Sequence, residues 1–150
     1  LAQVLPLPIA VAMAAGMVAA MALVTRGVLR ARDLMNRYQQ TFNALLATTA
    51  ALTLVLLPVF IQMAPVVMQI AKNPQLLENP EAVQVPAFGV FWMNLINFWN
   101  FAVTAHIFRH AAGVNLWVGL FIAFIAAGIA LFLGVMGGTI GSVLFGVAPP

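Results

Sequence analysis

His106 and His110 are the two histidines of this 150-residue chain, and they stand four residues apart with Arg109 between them. On a helix, two imidazoles at i and i+4 share a face and can grip one metal ion. They cannot sandwich a haem, which takes its two axial ligands from opposite sides. No acidic residue lies near them in sequence to complete a coordination sphere, because the carboxylates are Asp33, Glu78 and Glu81. Histidines near a helix C-terminus are also favoured simply by the negative end of the helix dipole. The pair therefore reads as a helix ending, and no metal site is expected. The absence of cysteine removes thiolate metal sites, disulfides and cysteine nucleophiles together.

A second group, Asn94, Asn97, Asn100 and Thr104, falls within an arc of about 120° on one helical face. An amide set against lipid without a partner costs several kcal/mol, so this face should point into a helix bundle. It can act there as a polar seam that binds a solute or lines a water path. It can equally hold helices together, at about 0.6 kcal/mol per interhelical hydrogen bond, and that structural role is the preferred expectation. Trp92 and Trp99 lie on the opposite face and suit lipid or a neighbouring protein.

Other motifs carry less. The run GGTIGS at 137–142 has the glycines of a phosphate loop but lacks its lysine and follows no strand. Met13, Met17 and Met21 recur every four residues, a spacing that soft-metal transport could use but that flexible packing explains as well. The acidic residues all fall outside the predicted spans, so none sits where burial would tune it for acid–base work. No catalytic residue, cofactor or metal site is assigned, and the chain reads as a non-enzyme.

The elements that must position these residues follow from composition. The chain is 64% hydrophobic and 6% charged, where a soluble domain of this size carries about a quarter charged residues. So few charges cannot cover a surface in water, and the chain is read as a single transmembrane domain of an integral membrane protein. Its net charge of +3 lies in short loops between spans. That is a topology signal rather than a nucleic-acid footprint, so no nucleic-acid partner is expected.

Four spans are predicted, all helical. Residues 4–24 are free of charge and long enough for a hydrocarbon core of roughly 30 Å. Within them Ala12, Gly16 and Ala20 form a small-residue stripe. Residues 25–40 are predicted as an amphipathic helix lying at the interface, with Arg26, Arg30, Asp33 and Arg37 on one face and an Asp33–Arg37 pair at i, i+4. Arg26, Arg30 and Arg37 would anchor it near anionic headgroups. The second span, 41–62, is expected to kink or end at Pro58 and Pro65. Residues 72–86, with both glutamates, read as a turn-rich loop.

The third span is 87–110. The fourth begins at Leu116 and carries the stripe Ala126, Ala130, Gly134, Gly138 and Ser142, with Gly119, Ala123 and Ala127 beside it. Its apolar run continues to Ala148, about 48 Å of helix, so the glycines at 137–141 are expected to end or break it and leave a half-span at the C-terminus. Small stripes let helices approach closely in lipid. The positive-inside rule places residues 25–40 and 106–115 in the cytoplasm and 72–86 outside.

The segments RYQQTFNALLATTAALTLVLLPVF and FWNFAVTAHIFRHAAGVNLWVGLFIAFIAAGIAL together resemble bacterial members of the Yip family of polytopic membrane proteins. They share a basic segment leading into a span, an aromatic helix, a short His-rich basic turn and a closing apolar helix. The resemblance implies five spans with a cytoplasmic N-terminus, of which this chain would supply the second to the fifth. It carries no catalytic residues, and arginines stand where the family's cytoplasmic loop often has a glycine–lysine signature.

The first 24 residues lack the positive n-region of a signal peptide, so an upstream segment is expected. The bacterial inner membrane is the expected location, with the lipid bilayer and other integral membrane proteins as partners. Two functions are open: a non-enzymatic scaffold or accessory subunit that packs through outward-facing small-residue stripes, and a small transporter or channel using the asparagine seam. The scaffold is preferred.

Overall fold

A computed structural model describes residues 7–73, 75 and 85–145 and is all helical over them. The four helices are α1 (Leu7–Ala31), α2 (Tyr38–Lys72), α3 (Ala87–Ala112) and α4 (Leu116–Leu144). Among the described residues, three helical stretches are long and apolar enough to cross a membrane: Leu7–Ala31, Met35–Ile70 and Leu116–Leu144. At 26 residues α3 has the length. It falls short in apolarity because it carries three asparagines, two histidines and an arginine.

The chain runs up and down, so the arginine-bearing turns α1–α2 and α3–α4 lie at one end of the bundle. Two antiparallel pairs make up the body. α1 packs along α4, with Met17 against Gly134, Met13 against Gly138 and Ile9 against Gly141. α2 packs on α3 through Leu56, Val59 and Ile96, with Met63 against Gly89. The pairs are joined toward the arginine-rich end by Val24, Leu45, Phe108 and Ala126, one buried residue from each helix. Phe108 is the largest fully buried side chain of this cluster.

Outside, Leu54, Ile61, Phe98, Trp117, Phe124 and Val143 are largely exposed. A surface so apolar suits acyl chains and not water.

Three expectations change. Residues 25–40 do not form a separate interfacial helix. Thr25–Ala31 is the last part of α1, a turn follows, and Met35–Arg37 makes a single 3-10 turn into α2. The reversal occurs at Asp33, whose φ of 55° is left-handed. The Leu34 amide then donates back to the Leu29 carbonyl at 2.8 Å, closing the end of α1 in the manner of a Schellman cap.

Pro58 and Pro65 do not end the second helix either. α2 runs 35 residues with both inside it. Proline removes one intrahelical hydrogen bond, which membrane helices tolerate because neighbouring groups satisfy the freed carbonyls. Lys72 therefore belongs to α2, while Glu78 and Glu81 lie outside the described residues.

Finally, α4 is unbroken to Leu144, with no half-span within the described residues. Gly134, Gly138 and Gly141 are buried in it, and Gly137 also lies against α1. The packing that these glycines permit holds them helical where propensity alone would not.

The α3–α4 turn is built from local signals. Gly113 caps α3 with φ 63°, the Val114 amide donates to the Arg109 carbonyl at 3.1 Å, and the Asn115 side chain accepts from the Val118 amide at 2.9 Å. A left-handed glycine followed two residues later by an asparagine N-cap is a helix stop and a helix start within three residues.

Candidate functional site

The small-residue stripes meet each other within the chain. A Cβ built on Gly16 would collide with the Leu133 carbonyl oxygen, and one on Gly137 would lie 2.5 Å from that of Ala12. On Gly134 it would come 2.9 Å from Met17 Cε, and on Gly138 2.8 Å from Met13 Cγ. The methionine stripe of α1 thus fills the glycine hollows of α4, which gives that spacing a packing role. Ala20 and Ala126 are buried, Ala12 and Ala130 half-buried. At the arginine-rich end Gly119 performs the same service for α3, because a Cβ there would sit 2.6 Å from the Ala105 carbonyl oxygen.

Beyond the four-residue cluster, a cleft of about 460 Å³ opens between the two helix pairs, and all four helices line it. Its walls are mostly apolar: Met17 and Met21 from α1, Leu46 from α2, Phe101 from α3, and Ala130 and Leu131 from α4. Its polar groups are Asn97, Asn100 and Thr104 on α3 and Thr49 on α2, with no charged residue.

The asparagine seam is therefore only partly collected there. Asn94 is exposed and its amide donates to the Val90 carbonyl in its own helix at 3.0 Å. Asn97 is exposed at the cleft edge and Asn100 is half-buried. Thr48, Thr53 and Gln62, three other polar side chains of the second span, do not line the cleft. Thr53 instead bonds back to the Thr49 carbonyl at 2.8 Å.

One atom stands apart. Buried hydroxyls in this bundle are satisfied by their own helices: Thr25 donates to the Met21 carbonyl at 2.7 Å, Thr41 to that of Arg37 at 2.8 Å, and Ser142 to that of Thr139 at 2.7 Å. The side-chain oxygen of Asn100 has no such option. Among the described residues it is the one buried side-chain polar atom without a hydrogen-bond partner. A buried acceptor left unmet costs about 1–3 kcal/mol, and it belongs to a residue that lines the cleft.

No protein-family model matches the chain, and no curated protein or solved structure is significantly similar to it. The chemistry must be read from the chain itself. Amides and hydroxyls on an apolar wall can orient a molecule.

At the arginine-rich end the two histidines come together, Nε2 to Nε2 at 3.0 Å. Among the described residues no third histidine or carboxylate joins them as a metal-binding group. Arg26 and Arg30 are exposed near the end of α1. Arg37, also exposed, donates to the carbonyls of His110 and Ala111, and Arg32 donates to that of Ala112 at 3.3 Å. Arg32 was not among the residues singled out from sequence. Its partner is 80 residues away, and spacing holds no signal for such a contact.

Proposed function

We propose that this protein is a non-enzymatic integral membrane protein that holds a small neutral molecule in the cleft between its helix pairs, in the class of small transporters and carriers. The unmet Asn100 oxygen carries this reading. It has no donor within the protein, and its residue lines a space within the range typical of ligand sites. The apolar walls and the absence of lining charge favour a neutral ligand that is apolar over most of its surface, with at least one N–H or O–H group.

A second reading rests on Asn97, which is exposed at mid-helix and faces the same opening. A scaffold or accessory subunit would use such a group to bind a polar residue on a helix of another membrane protein. Its contact surface would then be the edge of α3, since the small-residue stripes are engaged between α1 and α4. Membership of the Yip family and a place in the bacterial inner membrane are proposed on the sequence resemblance.

Native mass spectrometry of the protein purified in mild detergent tests this directly. A small-molecule adduct retained by Trp99→Leu and lost in Asn100→Leu is the expected result. A second polypeptide, lost in Asn97→Leu, would replace the carrier reading with the scaffold. Bare protein in all three cases would overturn both.

A further inference from the structure

The strongest unassigned feature lies at the arginine-rich end of the bundle, where the first turns of α2 pass the last turns of α3. A shallow cleft of about 480 Å³ is walled there by Arg37, Gln40, His106 and His110, with Ala44 and Ile107 as its apolar side.

Its polar wall is rich in donors. Arginine carries five N–H groups and no acceptor, and the two contacts that Arg37 makes, at 3.4 and 3.5 Å through one terminal nitrogen, leave most of its donors free. Gln40 adds an amide. His106 and His110 add ring nitrogens, their Nε2 atoms 3.0 Å apart.

The charges around the histidines decide the sign of the ligand. Arg37 faces them from α2, Arg32 reaches the end of α3 from the α1–α2 turn, and Arg109 stands between them in sequence, its Cβ close to Gly119 of α4. Asp33 is the only carboxylate among the described residues and does not line the cleft. Clustered guanidinium groups disfavour a divalent cation at the histidine pair. The same fork of donors matches a phosphate, and Ala44 and Ile107 continue the cleft along the lipid-facing flank.

We propose that this cleft is a binding site for a phosphate group, held by Arg37, Gln40 and the His106–His110 pair, with the headgroup of an anionic phospholipid or inorganic phosphate as its source. Basic pockets between membrane helices at the interface commonly take such headgroups. The site is independent of the mid-bundle cleft, so either can fail without the other.

The test uses the full chain in detergent micelles, titrated separately with dioleoyl phosphatidic acid, dioleoyl phosphatidylcholine and sodium phosphate, with bound species counted by native mass spectrometry. Phosphatidic acid should bind in preference to phosphatidylcholine. Arg37→Gln should weaken it by about tenfold, the effect of losing one charge-assisted hydrogen bond. His106→Gln with His110→Gln should also weaken it, whereas Arg26→Gln, outside the cleft, should not. If inorganic phosphate competes equally at millimolar concentration, free phosphate is the source; if it does not, the lipid is. Equal losses in Arg26→Gln and Arg37→Gln would mean a diffuse basic end and overturn the site. So would Zn²⁺ binding that needs both histidines while phosphate leaves no adduct. Circular dichroism of each variant separates lost binding from lost fold.

Discussion

The guanidinium of Arg37 lies 3.4 Å from the carbonyl oxygen of His110, across 73 residues of sequence. With Arg32 on the Ala112 carbonyl, the α1–α2 turn caps the end of α3. The last four carbonyls of a helix lack intrahelical donors, and the C-terminal end of the dipole attracts cations. Two arginines of the α1–α2 turn meet both needs of α3.

Because Arg37 is exposed and its contacts are long, each arginine should contribute at most about 1 kcal/mol. Arg32→Ala and Arg37→Ala should each lower the thermal midpoint slightly, and the double variant should speed amide exchange at residues 109–112 specifically. Faster exchange spread evenly over all four helices would show that the turn does not cap α3.

The glycines of the α1–α4 contact should differ in their tolerance of a methyl group. At Gly16 the added Cβ meets the backbone of Leu133, which cannot swing aside, whereas at Gly134 it meets Cε and Cγ of the flexible Met17 side chain, which can adjust. Gly16→Ala should therefore cost about 1–3 kcal/mol, in the range of overpacking. Gly134→Ala should be near neutral, helped by the better helix propensity of alanine. Equal midpoints for the two variants in detergent would refute this packing.

Much of this architecture is legible in the sequence, and the exceptions share a cause. Helix existence follows from uninterrupted apolar runs, and the α3–α4 turn from Gly113 and Asn115. Asp33 is harder to read, because an aspartate in the left-handed region is uncommon and the i, i+4 pair with Arg37 pointed toward a continuing helix. The glycines at 137–141 mislead in the opposite direction. Taken locally they break a helix, and only the presence of α1 alongside makes them packing surface. Of the four seam residues, Asn94 turns back onto its own helix while Thr49 joins from α2, since face membership on one helix says nothing about where the neighbouring helices stop.

The up-and-down order places residues 36 and 115 at the same end of the bundle and residue 73 at the other. The chain has no cysteine, so single substitutions give clean labelling. Asn36→Cys and Asn115→Cys should react with an impermeant maleimide from the same face of sealed vesicles, and Asn73→Cys from the opposite face. The arginines predict that the shared face is cytoplasmic. Labelling of positions 36 and 115 from opposite faces would rule out the antiparallel order itself.

The last prediction separates a structural amide from a binding one. If the Asn100 oxygen were part of the internal bonding of the fold, removing it would strand a donor and cost roughly 1–3 kcal/mol. It has no partner within the protein, so Asn100→Leu in stripped, ligand-free protein should leave the thermal midpoint unchanged or raise it, since an unmet polar group is replaced by an apolar one of similar size. The effect should reverse when native membrane extract is added back. Wild-type protein should gain stability as the cleft fills, by an amount that grows with the ratio of free ligand to its dissociation constant, and Asn100→Leu should not. Asn94→Leu is the control, because its amide is satisfied by the Val90 carbonyl outside the cleft, and it should respond to extract as wild type does. A large loss of stability in stripped Asn100→Leu would assign this residue to helix packing and remove the observation on which the binding cleft rests.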